Sequence, residues 1–145
     1  MSAVPAAPDQ IVHVVDDDEA LRDSLVWMLE GNGYAVSAHE SGEAFLAACR
    51  TDMTGCIMLD VRMPGMDGLA FMEKFSERAT QVPVVVMSAY TDLPSTVAAF
   101  HRGAFDYLPK PFDIDTAIDM AQRATAREAR AAETAFSMMM LAVRG

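Results

Sequence analysis

Five side chains that can ionise or donate a proton stand at or just beyond the ends of short apolar runs. Asp16 and Asp17 follow Ile11–Val15, and Asp60 closes the run Cys56-Ile57-Met58-Leu59. Ser88 follows Val84-Val85-Val86-Met87, and Lys110 lies between Pro109 and Pro111 after Ala104–Leu108. If these ends share one edge of a sheet, three carboxylates raise one another's pKa unless a cation sits between them. An all-oxygen group without histidine or clustered thiolates suits a hard divalent ion, Mg2+ ahead of Ca2+. Lys110 adds a mobile positive charge and Ser88 a hydroxyl donor. Such a set suits a transferring phosphoryl group, which needs positioning and charge neutralisation more than covalent help. Taken singly, each residue has a bland explanation: a helix cap, a turn aspartate ahead of Pro64, a strand-end serine, a solvated loop lysine. Their common position decides the matter.

The elements that must position them are legible in the hydrophobic pattern. Ile11–Val15 is a β-branched run of strand length, and Asp18 is placed to cap a helix whose apolar positions are Leu21, Leu25, Met28 and Leu29. Gly31-Asn32-Gly33 stops that helix. Tyr34–His39 predicts a second strand, and Ser41 a capped helix with Phe45, Ala48 and Cys49 on its apolar face. The third strand ends at Asp60 and turns through Pro64, Gly65 and Gly68, after which Asp67 caps a helix facing inward through Leu69, Met72 and Phe75. Val82–Met87 predicts the fourth strand, with Pro83 at its start because proline cannot donate to a central ladder. Asp92 and Pro94 open a fourth helix with Val97 and Phe100 inward, ended by Gly103. Ala104–Leu108 predicts a fifth strand closed by Pro109-Lys110-Pro111, and Asp113 caps a fifth helix with Ile114, Ile118 and Ala121 inward. Five strands alternating with five helices, three of the strands continuous Val/Ile/Leu runs, predict an α/β fold with a doubly wound parallel sheet. In such sheets the ligand crevice lies at the carboxyl ends of the strands, where all five chemical side chains fall.

With 145 residues, 52% hydrophobic and 22% charged, the chain reads as one domain with a tail. No apolar run approaches a membrane span. Residues 1–10 read as a disordered lead-in, since they lack the basic and apolar regions of a signal peptide. A formal net charge of -10 argues against the chain holding nucleic acid by itself. Cys49 and Cys56 form no CxxC pair and read as two reduced, buried core thiols of a cytoplasmic protein.

Four stretches carry a family resemblance: Val14-Val15-Asp16-Asp17-Asp18, Leu59-Asp60-Val61-Arg62-Met63-Pro64-Gly65-Met66-Asp67-Gly68, Val85-Val86-Met87-Ser88-Ala89, and Gly103-Ala104-Phe105-Asp106-Tyr107-Leu108-Pro109-Lys110-Pro111-Phe112. Together they resemble the response-regulator receiver domain of two-component signalling over residues 11–125, in particular receivers that precede DNA-binding output domains. The resemblance implies a flavodoxin-like sheet of strand order 2-1-3-4-5. It implies that Asp60 accepts a phosphoryl group from a sensor histidine kinase. It also implies that Asp17 binds Mg2+ directly, Asp16 mainly through water, and Arg62 through its backbone carbonyl. Ser88 takes the place of the switch hydroxyl, Lys110 pairs with the phosphoryl oxygens, Tyr107 is the switch aromatic, and the Lys110-Pro111 bond is expected to be cis. The implied activity is that of a signalling switch and not of a conventional enzyme. Its implied partners are a sensor kinase and, on phosphorylation, a second copy of the chain, with DNA reached only through an output domain outside this chain and no membrane.

Residues 126–145 read as a helical continuation whose Phe136, Met139, Met140 and Val143 repeat as an apolar stripe, either a frayed tail or a linker or dimer helix. Two rival functions remain. A metal-dependent phosphatase would also use Asp60 as nucleophile, but it wants an acidic residue two positions on, where Arg62 stands. A phosphate-independent interaction module would have no use for the acidic cluster.

Overall fold

The computed structural model describes residues 10–49, 53–77, 82–89 and 91–144; most of the expected lead-in lies outside them. The chain alternates β1 (Ile11–Val15), α1 (Glu19–Gly31), β2 (Ala35–His39), α2 (Gly42–Ala48), β3 (Gly55–Asp60), α3 (Gly68–Ser76), β4 (Val84–Ala89), α4 (Leu93–His101), β5 (Asp106–Lys110) and α5 (Ile114–Arg144). The five strands form one sheet in the order β2-β1-β3-β4-β5, and every pairing is parallel.

Side-chain alternation along the strands splits the core in two. Val12, Val14, Met58, Val85 and Met87 pack with α1 and α5 through Leu25, Leu29, Ala117 and Ala121. Val15, Ile57, Leu59, Val84 and Val86 point the other way, onto Phe45 of α2, Phe71 and Phe75 of α3 and Ala99 of α4. A central strand covered on both faces has no solvent side, so all six residues of β3 are buried. The helices start where their caps stand: the side chains of Asp18, Ser41 and Asp67 accept from backbone amides of the first turns of α1, α2 and α3. Asp113 does the same for α5, accepting from Thr116 N at 2.8 Å.

Several boundaries and faces differ from expectation. β5 runs Asp106–Lys110 and not Ala104–Leu108, pairing Ala89 with Lys110 at its end. Pro109 does not stop it, because β5 is an edge strand, where a missing N–H need not break the ladder. β4 begins after Pro83, whose carbonyl accepts from Ile57 N at 2.9 Å, and extends through Ser88 and Ala89. Tyr34 precedes β2 because its amide is still engaged by Leu29 O of α1 at 3.0 Å. In α4 the inward residues are Thr96 and Ala99, whereas Val97 and Phe100 are 46% and 42% exposed. Ala99 has little side chain and lets α4 lie close on the sheet, which leaves the bulkier residues on the outer stripe. Ile114 is exposed, and α5 buries Ala117, Met120, Ala121 and Ala124 instead. Cys56 is fully buried, with its thiol pushed up to about 12 by burial and by Glu128. Cys49 is only half-buried, contrary to its reading as a core thiol.

α5 continues as a helix to Arg144, as its periodicity implied. Its first half is tied to the amino ends of β1 and β3: Gln10 Nε2 donates to Thr125 O at 3.1 Å and Gly55 N to the buried Glu128 carboxylate at 2.7 Å. Beyond that point Phe136, Met139, Met140 and Val143 are all exposed.

One glycine positions the site directly. A Cβ on Gly68 would fall 2.7 Å from both Asp60 O and Val61 Cα, backbone atoms with no room to give. The absence of a side chain lets α3 start against the end of β3, and Gly68 N closes the intervening loop on Val61 O at 2.8 Å. Gly68→Ala is therefore expected to lower stability by about 1–3 kcal/mol in denaturant titrations, despite alanine's better helix propensity. A neutral or stabilising result would contradict this packing.

Candidate functional site: an acidic cluster at the carboxyl edge of the sheet

The parallel register delivers Asp16, Asp60 and Lys110 to one edge. Asp16 follows the last residue of β1, Asp60 is the last of β3 and Lys110 the last of β5. Asp16 is fully buried and Asp60 nearly so, while Asp17 faces solvent. Each of the three aspartates offers a carboxylate oxygen, and these atoms lie within 4.8 Å of one another. Local bonds aim them. Asp16 Oδ1 accepts from Asp18 N at 2.9 Å, and Arg22 holds the Asp16 carbonyl at 2.7 Å. Asp60 Oδ1 accepts from the Arg62 amide at 3.3 Å.

Lys110 sits among these charges, with Nζ 3.0 Å from Asp16 Oδ2 and 3.3 Å from Asp60 Oδ1. Burial by itself would lower the Lys110 pKa, but Asp60 and Asp16 outweigh it and raise it, so the ammonium stays charged. Asp60 is pushed up to about 6, first by burial and then by the neighbouring Asp16 charge, with Lys110 only partly offsetting both. One ammonium thus leaves negative charge uncompensated, and the donor set is all oxygen. It fits a hard divalent cation on both counts. The Lys110-Pro111 peptide bond is cis, as the resemblance implied.

Two expected site residues stand apart. Ser88 is buried, yet its hydroxyl bonds toward the β4–α4 connection: to Ala89 O at 3.3 Å, Asp92 O at 3.5 Å and Thr96 Oγ1 at 3.1 Å. Tyr107 is 39% exposed, and its ring meets Phe100 edge-on at 6.1 Å. The Arg62 side chain also turns outward, to Asp92 Oδ2 at 2.8 Å. With its carboxylate turned to Arg62, Asp92 starts α4 without its side chain accepting a capping bond from the first-turn amides. The sequence does not single out Thr96 or Arg22, and it marks Asp92 only as opening α4. Asp92 and Arg22 look like ordinary cap and surface residues, and Thr96 was hidden by the wrong choice of face for α4.

A sequence model described as response regulator receiver domain matches residues 12–122, most of the chain. The chain belongs to that family. Within it, the chain is 46% identical over 114 residues to the DNA-binding transcriptional regulator NtrC of Salmonella typhimurium, covering 79% of this chain and 24% of that protein. It is 47% identical over 114 residues to the transcriptional regulatory protein FixJ of Azorhizobium caulinodans, covering 79% of this chain and 54% of that one. The crystal structure of FixJ-N superposes with a TM-score of 0.75 at 38% identity, over 83% of this chain and 96% of its own. This receiver therefore spans about a quarter of NtrC and about half of FixJ. The family's flavodoxin-like order of strands is the order observed here.

Proposed function

We propose that this receiver accepts a phosphoryl group on Asp60 from a phosphohistidine of a sensor histidine kinase, and that the modification switches an output function. The observation that carries the proposal is the cluster itself: three carboxylate oxygens within 4.8 Å, one of them on a nearly buried strand-end aspartate, with Lys110 touching two of the three groups. In the transfer an Asp60 Oδ–phosphorus bond forms and the phosphorus–nitrogen bond to the donor imidazole breaks. The electron pair leaves with the imidazole, which takes up a proton. Asp16, Asp17, Asp60 and the Arg62 carbonyl would hold Mg2+, with Asp16 acting mainly through water. When bound, the ion neutralises charge on the carboxylates and the incoming phosphoryl oxygens. Lys110 is already in place to exchange its Asp60 contact for a phosphoryl oxygen.

The product carries more negative charge than free Asp60, in a site where one ammonium did not balance the carboxylates. That charge draws in Lys110 and the Ser88 hydroxyl, and Tyr107 turns inward into the space Ser88 leaves. Support for a responsive face comes from Leu93, Val97, Phe100 and Tyr107, exposed apolar residues on α4 and β5. A second copy of the receiver would dock there on phosphorylation. Transcriptional output, as in the DNA-binding relatives, would lie in a part of the protein beyond these residues. With a net charge of -10 the receiver is poorly suited to DNA itself.

Incubation with acetyl phosphate and Mg2+, followed by intact mass, tests the reading. The expected result is a gain of one phosphoryl group per chain. Continuous turnover of a phosphoester without covalent gain would indicate a phosphatase instead. Arg62 does not favour that outcome, because its guanidinium is bonded to Asp92 and cannot serve as acid and base. No reaction at all would indicate a phosphate-independent module.

A further inference from the structure

We propose that Thr96 is a brake on the switch: a positioning residue that holds the Ser88 hydroxyl on the α4 side and away from Asp60 until the phosphoryl group arrives. The inference rests on the reading of Asp60 as the acceptor and names a regulator of that same site.

Thr96 and Ser88 are 6% and 2% exposed, and their hydroxyl oxygens lie 3.1 Å apart. Thr96 Oγ1 has one proton and two acceptors at 3.1 Å, Ser88 Oγ and Asp92 O. The Ser88 proton faces two carbonyls, Ala89 O at 3.3 Å and Asp92 O at 3.5 Å. Every partner of the Ser88 hydroxyl among the described residues therefore belongs to β4's own end or to the start of α4. To donate to a phosphoryl oxygen on Asp60, Ser88 must turn its proton away from both carbonyls, and a swing of Oγ toward that acceptor breaks the bond it accepts from Thr96. The pair is nearly buried, so a partner lost there is not replaced for free.

Thr96 is itself anchored. Its amide donates to Asp92 O at 3.2 Å, the first hydrogen bond of α4. Arg62 pins the same residue from the other side through the Asp92 carboxylate. The Arg62 side chain is 74% exposed, however, and exposed ion pairs contribute little. The buried hydroxyl pair is the stronger constraint on Ser88. Nothing in the acidic cluster makes such a residue necessary for the chemistry. Its effect falls on the resting population, which sets how readily the site meets the phosphoryl group.

Thr96→Val keeps the β-branched shape and removes the hydroxyl, whereas Thr96→Ser keeps the hydroxyl. A neutral hydrogen bond contributes about 1 kcal/mol, which converts to about a fivefold change in a two-state ratio. Phosphorylation by acetyl phosphate with Mg2+ is therefore expected to run about fivefold faster in T96V. T96S should react at the wild-type rate. A second readout needs no metal: in the metal-free protein, the Ser88 and Ala89 amide resonances and the Tyr107 ring signals of T96V should move toward their positions in the beryllofluoride-treated wild type. A simple loss of packing would lower the melting temperature without accelerating phosphorylation or moving these signals in that direction. A wild type that gains no phosphate overturns the acceptor reading, and the brake with it. A phosphorylatable wild type whose T96V variant reacts at the same or a lower rate, or shows no such resonance shift, overturns the brake alone.

Discussion

Asp60→Asn is expected to abolish covalent phosphate gain from acetyl phosphate and, in the absence of divalent ions, to make the protein more stable at pH 7. The loss of labelling would follow from removing the proposed nucleophilic oxygen, which belongs to a nearly buried carboxylate at the end of the central strand. The gain in stability follows from the charge balance. The Asp60 carboxyl is pushed up to about 6 from 3.8, so in the metal-free protein ionisation at neutral pH opposes folding. Between pH 3.8 and about 6 the native state holds a proton that the unfolded chain has released. Stability therefore falls as pH rises through that window and stays lower above it. A shift of this size converts to about 3 kcal/mol as an upper bound, and asparagine, neutral and of nearly the same shape, should recover about 1–3 kcal/mol of it. Chemical denaturation at pH 7 in chelator reads the effect. Saturating Mg2+ should shrink or reverse it, because the ion stabilises the wild-type carboxylate and not the amide. Persistent stoichiometric labelling of D60N would remove Asp60 from its role.

The second large effect lies within β1, beside the central strand, and has the opposite sign. His13 sits in the middle of β1, 3% exposed, edge-on to Phe45 at 5.5 Å and paired in register with Ser37 and Ile57. Burial drives its pKa from 6.5 down to about 4, the nearby Thr54 backbone partly resists, and His39 lowers it further, while neither ring nitrogen has a hydrogen-bond partner among the described residues. Below pH 6.5 the unfolded chain takes up a proton that the native state refuses, so stability is lost as pH falls toward 4. The shift converts to about 3 kcal/mol. His13→Leu should remove most of that acid loss while leaving stability at pH 7 within about 1–2 kcal/mol of wild type. Because Asp60 gains and His13 loses over nearly the same window, the wild-type profile partly cancels. Only the paired variants separate the two, with D60N steepening the acid loss and H13L flattening it. An H13L profile parallel to the wild type between pH 6.5 and 4 would show that His13 is not the acid-sensitive group.

Strands and caps with strong local signals were legible from the chain alone. β1 was placed to the residue, and Asp18, Ser41, Asp67 and Asp113 cap the helices they were read to cap. The misplacements share a cause. Whether Pro109 ends a strand depends on whether that strand is an edge, and edge position is a property of the sheet. Which face of α4 turns inward could not be settled by hydrophobicity, because Val97, Ala99 and Phe100 are all apolar. Ala99 goes in and Val97 and Phe100 stay out, a choice made by how α4 packs on the sheet. Thr96 was missed for the same reason, since its partner Ser88 stands on another element.

The sequence by itself determined the alternation of elements, the parallel sheet and the presence of Asp16, Asp17, Asp60, Ser88 and Lys110 at strand ends, because these follow from local periodicity and from the handedness of crossovers. Tertiary structure decided which of them meet. It brought three carboxylates and Lys110 together and gave Asp60 its raised pKa, a quantity set by burial and neighbouring charge. It also turned Ser88 toward Thr96 and Tyr107 toward Phe100, since a side chain's direction depends on partners far away in the chain. The candidate acceptor, Asp60, is visible in the sequence; the company it keeps is set by the packing.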